Sequence, residues 1–247
     1  MPDETVSIII PTYERWDTIG ATLRGALRQT GVDVEVVIVD DGATPAPDGL
    51  LDDPDGRVRH IHPPVRRGVG HARNVGVEAA EGSWVAFLDD DDLWASDKLE
   101  RQLEACRSAG RDWGFSSGVY VDAKLKPFEL LRAPSGDGLE RALLSAQVIP
   151  GACSNVVARR DLVRQTEGFD PRLHQLADWD LWIRMAEAAP AASIDDVLVA
   201  YVQHAGSMLM THRDPILREY ALLTRKHRAR ADRLGTRMDP SFFGFWV

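Results

Sequence analysis

Four consecutive carboxylates at the end of an apolar run constrain this chain more than any other feature. Val85-Ala86-Phe87-Leu88 reads as a buried strand, and Asp89-Asp90-Asp91-Asp92 follows it directly, before Leu93-Trp94. Neighbouring ionised carboxylates repel one another, so a cluster at the tip of a packed strand needs protons, basic side chains or a metal ion to persist. No basic residue follows in sequence until Lys98. A hard divalent cation, Mg²⁺ or Mn²⁺, held by carboxylate oxygen and by phosphate, is therefore the economical expectation. The plainer alternative is a solvated acidic turn ahead of a helix that starts near Ser96.

The residues before this run alternate between strand and helix patterns. Val6-Ser7-Ile8-Ile9-Ile10 reads as a buried strand stopped by Pro11, and Asp17 is placed to cap a helix carrying Ile19, Leu23, Ala26 and Leu27 on one face. Val34–Val39 reads as a second strand ending in Asp40-Asp41-Gly42, and Val58–His62 as a third. Gly68-Val69-Gly70 opens a helix, and strand 84–88 leads into the carboxylates. A strand, a helix and a second strand within about thirty residues make a parallel βαβ unit with a right-handed crossover. The spacing predicts further elements at 113–122, 139–145, 155–158, 161–166, 178–188, 194–202 and 214–233, with 123–137 a loop. The expected fold is α/β, a Rossmann-like and mostly parallel sheet flanked by helices, with a C-terminal region and a terminal helix. One domain over 1–212 is expected, in two halves at 1–110 and 111–212, followed by a basic helix and apolar tail over 213–247.

Charge and cysteine content remove several function classes. A net charge of −9 disfavours a general nucleic-acid binder, which draws affinity from clustered Lys and Arg. Residues 213–237 reverse the sign locally, which fits a solvated helix face or a surface meeting an anionic membrane or acidic partner. The ending Phe242-Phe243-Gly244-Phe245-Trp246-Val247 suits an acceptor site, a dimer contact or a membrane-surface contact. Cys106 and Cys153 lack metal-type spacing and read as buried thiols. With no signal-peptide pattern and no apolar run near ~20 residues, a cytoplasmic protein, with membrane association left open, is expected.

In an open α/β sheet, ligands bind beyond the carboxyl ends of the strands. Three such ends carry polar groups: Thr12-Tyr13, Asp40-Asp41 and Asp89–Asp92. Asp40 and Asp41 suit a ribose or a base edge, or equally an ordinary turn. Gly68-x-Gly70 matches the start of a dinucleotide fingerprint, but Arg73 stands where the third glycine belongs. Such an Arg suits a diphosphate or a surface ion pair.

The ordered set Ser7–Tyr13, Val39-Asp40-Asp41-Gly42, Gly68–Gly76 with Ala72-Arg73-Asn74, Phe87–Trp94 and Asp178-Trp179-Asp180-Leu181-Trp182 resembles the family 2 glycosyltransferases of the GT-A fold. The resemblance covers roughly residues 5–210. It implies a nucleotide-diphosphate-sugar donor, with a UDP-sugar favoured, a glycan, lipid or small-molecule acceptor, a divalent metal and inversion at the anomeric carbon. It places Pro11, Thr12, Tyr13 and Asp40 around the nucleobase with Asp41 close by, and Arg73 near the base or diphosphate. Asp89 and Asp90 approach the ribose and sugar, and Asp91 holds the metal. Asp178 matches the second residue of the family's Glu-Asp pair, the acceptor's general base, although Ala177 replaces the first. His204 looks like the family's late His at the diphosphate or metal.

The chemistry has its own logic. Departure of a nucleoside diphosphate builds negative charge that a metal stabilises, while a carboxylate on the sugar's opposite face takes the acceptor hydroxyl's proton. Asp180, two residues from Asp178 on the same helix, is the rival base, and Trp179 and Trp182 read as core. The competing functions are a sugar nucleotidyltransferase, for which Pro11-Thr12-Tyr13-Glu14 is not the basic glycine loop required, and a non-catalytic nucleotide-sugar-binding module on the same fold.

Overall fold

The computed structural model describes residues 4–203 and 213–238. Strands β1 (Val6–Thr12), β2 (Val34–Asp40), β3 (Val58–Ile61) and β4 (Trp84–Phe87) lie in the order β3-β2-β1-β4, every pairing parallel. Helices α1 (Ile19–Leu27) and α2 (Val69–Ala79) make the crossovers and cover opposite faces. Val6, Ile8 and Ile10 pack with Ile19 and Leu23 of α1, whereas Ile9 packs with Val77 of α2. Burial on both faces is why these strands read as unbroken apolar runs. Gly76 lets α2 lie against the sheet, since a Cβ there would stand 2.4 Å from Ile9 Cγ2.

Two local expectations fail for identifiable reasons. Pro11 does not stop β1; it pairs with Val39 of β2. Leu88 N–H donates to Ile9 O at 3.0 Å, so the odd-numbered groups of β1 face β4, whose pairing has ended at Ile9. The N–H that Pro11 lacks therefore has no strand partner to lose. Asp17 stays exposed, and the N-cap of α1 is Thr18.

Beyond β4 come β5 (Leu93–Trp94), α3 (Lys98–Ala109), β6 (Trp113–Val121), β7 (Pro127–Leu131), α4 (Leu139–Leu143), β8 (Val157–Arg159), α5 (Arg160–Gln165), α6 (Ala177–Ala188), β9 (Ala192–Val202) and α7 (Arg213–Arg233). The sheet continues β4-β8-β6-β9-β5, with β7 on β6. Here β8 is antiparallel to both β4 and β6, and β9 is parallel to β6, so this half of the α/β sheet is mixed. Strand β7 falls where the sequence reads as a loop. It is an exposed edge strand opening on Pro127, so it shows no alternation of buried and solvated positions. Trp179 and Trp182 are fully buried core, and Trp182 stacks on Trp113 at 6.3 Å. Cys106 and Cys153 are free, buried thiols.

Helix α7 packs into the same core through Leu223 and Ala231. Three of its basic groups, Lys226, Arg230 and Arg233, meet acids of the protein itself. Lys226 Nζ lies 2.7 Å from Asp170 and 2.9 Å from Asp180, and Arg233 lies 2.8 Å from Glu187. No helix among the described residues is long and apolar enough to cross a membrane.

Candidate active site

Because β1, β2 and β4 are parallel neighbours, their carboxyl ends share one edge, and the three polar tips converge there. The four carboxylates then diverge. Asp92 turns inward, where Ser154 Oγ donates to it at 2.5 Å and Val202 N–H at 3.0 Å. Ser154 Oγ also accepts Asp89 N–H at 3.0 Å, so Asp92 ties the run to β9 and to the segment before β8. Asp90 is buried and accepts from Thr12 Oγ1 at 2.7 Å and Arg15 Nη1 at 3.1 Å. Arg15 Nη2 reaches Asp91 at 2.7 Å, and Arg73 Nη2 reaches Asp89 at 2.5 Å.

The basic partners missing from the local sequence thus come from the β1–α1 connection and from α2. Lys98, the next cation in sequence, is not one of them: it is fully buried with Nζ 3.8 Å above the Trp94 ring. Among the described residues, two guanidinium groups stand against four carboxylates. Burial, aided by Asp91 and Asp89 and opposed by Arg15, pushes Asp90 up to about 7. Burial and the same two neighbours hold Asp92 well above the usual carboxylate range.

Protons on Asp90 and Asp92 ease that imbalance, and a divalent cation at the strand tip would favour their ionised forms instead. No group of three or more His, Cys, Asp or Glu side chains able to enclose an ion occurs among the described residues. One carboxylate supplemented by ligand phosphates remains, which suits Mg²⁺ or Mn²⁺. Asp91, partly open to the cleft, fits that role. His204, the other expected ligand, lies outside the described residues, as does the apolar ending 242–247.

On the nucleotide side, Pro11 and Thr12 are buried, while Tyr13 is 43% exposed beneath Arg66, whose guanidinium sits 3.7 Å from the ring centroid. Asp40 accepts Gly42 N–H at 2.8 Å and faces His60 and His62 at 3.6 and 3.4 Å. Asp41 accepts Gly68 N–H at 2.8 Å through Oδ2, while its buried Oδ1 has no partner among the described residues. Gly68, with φ 85°, is required by its turn and by close packing, whereas Gly70 makes only ordinary contacts. A Cβ on Gly68 would meet the His174 ring at 3.0 Å, and one on Gly70 would lie 3.8 Å from Ala177 Cβ. Both lie where the start of α2 meets the segment that enters α6.

Asp178 stands in the first turn of α6, half-buried, and accepts from Trp179 N–H at 2.7 Å and Gln147 Nε2 at 3.2 Å. Burial pushes it up to about 6; the Arg73 charge opposes that shift and Asp89 adds to it, so the carboxylate feels the donor-side pair. Asp180 belongs elsewhere. It is fully buried between Arg184 at 2.6 Å, Lys226 at 2.9 Å and His227 at 2.8 Å. The two-residue step on a helix turns them to different sides. Sequence reasoning missed Arg15, Gln147 and Ser154, and also Glu219. Arg15 was findable as the first cation past β1. Glu219 Oε2 accepts the N–H groups of His174, Gln175 and Leu176 at 2.9–3.1 Å, and no local pattern announces that contact across 43 or more residues.

Residues 7–166 match the sequence profile described as glycosyl transferase family 2. The chain belongs to this family. It is 28% identical over 89% of its length to the UDP-Glc:alpha-D-GlcNAc-diphosphoundecaprenol beta-1,3-glucosyltransferase WfaP of Escherichia coli, covering 86% of that protein. It is 45% identical over 44% of its length to the succinoglycan biosynthesis protein ExoO of Rhizobium meliloti, and this match spans 31% of the ExoO chain. Among solved structures, S. aureus TarS 1-349 in complex with UDP-GlcNAc superposes with a TM-score of 0.69 at 18% identity, over 90% of this chain and 66% of TarS 1-349. The fold is GT-A, and the glycosyl transferase family 2 match spans both the carboxyl edge of β1–β4 and the β4–α3 acidic run.

Proposed function

We propose that the protein transfers a sugar from a UDP-sugar to a hydroxyl of an acceptor glycan carried on a lipid diphosphate, by a single inverting displacement. The observation that carries the reading is the meeting of three strand tips with Asp178, a carboxylate raised to about 6 beside the Arg73–Asp89 pair. WfaP, similar along most of the chain, is named for a UDP-glucose donor and a diphosphoundecaprenol acceptor, which favours this substrate class.

Each chain residue has a physical task. Asp41 Oδ1, buried and unpartnered among the described residues, accepts a ring N–H of the base, and Tyr13 offers an aromatic face. Arg73 fixes Asp89 toward the sugar and lends positive charge to the diphosphate. A divalent cation at Asp91, when bound, stabilises the charge developing on the leaving nucleoside diphosphate. Asp178 takes the proton from the acceptor hydroxyl as it attacks the anomeric carbon, and Gln147 orients that carboxylate. Asp90, hydrogen-bonded to Thr12 and paired with Arg15, holds the loop shape that presents Asp91.

Calorimetric titration with UDP, GDP and TDP, each with and without Mn²⁺, tests the donor half. UDP is expected to bind tightest, and tighter with Mn²⁺. Asp41→Asn, which puts a donor where the base N–H needs an acceptor, is expected to weaken UDP by roughly tenfold or more. Unchanged UDP affinity in that variant, or equal binding of all three nucleotides, refutes the assignment.

A further inference from the structure

The β6–β7 hairpin breaks two local rules at once. Its turn, Asp122-Ala123-Lys124-Leu125-Lys126, is closed by Asp122 N–H to Lys126 O at 3.0 Å and Leu125 N–H to Asp122 O at 2.8 Å. Leu125 occupies the left-handed region with φ 61°, a place that glycine or asparagine ordinarily fills. It is also 53% exposed. A strained backbone carrying an exposed apolar side chain gains nothing for folding, so the residue points to something outside the chain.

The surroundings say what that is. Phe128 and Leu130 are 55% and 48% exposed on the same hairpin, an unusual concentration of apolar surface beside the other described residues. Lys124, Lys126 and Arg132 flank them, all exposed, and none makes an ion pair among the described residues. Twelve of the other arginines meet a carboxylate among the described residues. Of the hairpin's acids, Asp122 is engaged in the turn, accepting Lys124 and Lys126 N–H at 2.8 and 3.0 Å, and Glu129 alone projects beside the cations.

Register fixes where the hairpin points. Ala86 pairs with Val157, and Val157 with Gly114, so Asp89 is level with Ser117. β6 is antiparallel to β8, which is antiparallel to β4, so β6 rises toward the acidic edge and reaches Val121 four residues further on. Val121 pairs with Val202 beside Asp92, so the hairpin's turn at 122–126 lies just beyond the acidic run. Its root is bound to the site, because Gln203 N–H donates to Val121 O at 2.8 Å while the adjacent Val202 N–H holds Asp92.

We propose that this hairpin docks the enzyme on an anionic lipid bilayer. Leu125, Phe128 and Leu130 enter the interfacial region, Lys124, Lys126 and Arg132 meet lipid phosphates, and the acidic edge is held over the membrane surface. The proposal deepens the lipid-linked acceptor reading and rests on it for its purpose, though not for its test.

Flotation with vesicles of phosphatidylcholine, and of equimolar phosphatidylcholine and phosphatidylglycerol, reads the contact. The full chain is expected to float with the mixed vesicles at low salt and to detach in high salt. Leu125→Asn relieves the left-handed strain, so it is expected to keep or raise the melting temperature while weakening partition about tenfold. Lys124→Glu with Lys126→Glu is expected to abolish the preference for anionic vesicles. UDP titration on the same preparations separates the two readings: retained UDP binding without vesicle binding overturns this proposal alone, and the reverse overturns the donor reading alone. Leu125→Asn floating like the parent, or the hairpin variants changing only the oligomeric state, also overturns it.

Discussion

Asp178→Asn is expected to lower the rate of transfer by about 10²–10⁴ while UDP affinity and its Mn²⁺ dependence stay within about twofold of the parent. The substitution keeps the size of the side chain and its place at the start of α6, where Trp179 N–H and Gln147 hold it. What it removes is a proton acceptor. Because burial raises Asp178 to about 6, the parent's transfer rate is expected to climb as pH rises through about 6 and level off above it. The sign follows from the role: a general base works ionised, and the ionised fraction falls below the group's own pKa. The Asn variant's residual rate should lack that rising limb. Turnover within about threefold of the parent in single-turnover assays, or a rising limb that survives the substitution, removes Asp178 from the reaction. Loss of UDP binding together with activity would instead mark the residue as part of the donor pocket.

The half of the site built by consecutive strands is legible in sequence, and the half built by long-range contacts is not. Asp40, Asp41 and Asp89–Asp92 stand directly after apolar runs, and parallel topology forces such ends to one edge. Asp178 is visible only as part of a motif, since its position opposite Arg73 depends on how α6 packs on α2 through Gly70 and Ala177. Charge compensation is the least legible. The acidic run invites a metal because its neighbours in sequence carry no cation, yet Arg15 and Arg73, 76 and 16 residues from their partners, supply two positive charges. The basic terminal helix is similar. Its charges read as a solvated face or a surface for an outside partner. Lys226, Arg230 and Arg233 meet Asp170, Asp180, Glu140 and Glu187 of the same chain, while Arg218, Arg225 and Arg228 make no ion pair among the described residues. In both cases local charge is plain and the group that neutralises it is distant, which is the information that periodicity and spacing lack.

Asp180→Ala is expected to be the most destabilising single carboxylate replacement in the chain, by roughly 3–5 kcal/mol. It would leave Arg184, 8% exposed, and Lys226 and His227 gathered around an empty position, and the cost of a buried charge deprived of its partner far exceeds the net worth of the pair. The cluster also joins α6 to α7, leaving Glu187 with Arg230 and Arg233 as the remaining polar contact between the two helices. Thermal unfolding is expected to shift by roughly 10 °C, whereas Arg164→Ala, which breaks the exposed pair with Glu78, should shift it by about 1 °C. The pH dependence has two windows. Burial opposes ionisation of Asp180, but the hydrogen bond from His227 and the charges of Arg184 and Lys226 outweigh it and hold the group at about 2. A depressed carboxylate contributes stability that is present above the unfolded value of about 4 and is lost as pH falls through about 2. His227 is lowered chiefly by burial, so its contribution erodes as pH falls below about 6.5. The parent is therefore expected to lose stability in two steps on acidification, and Asp180→Ala to show a smaller lower one, since Arg172 and Lys226 also hold Asp170 below the usual carboxylate range. Equal melting temperatures for Asp180→Ala and Arg164→Ala would show that the buried Asp180 cluster holds the fold no more strongly than an exposed pair.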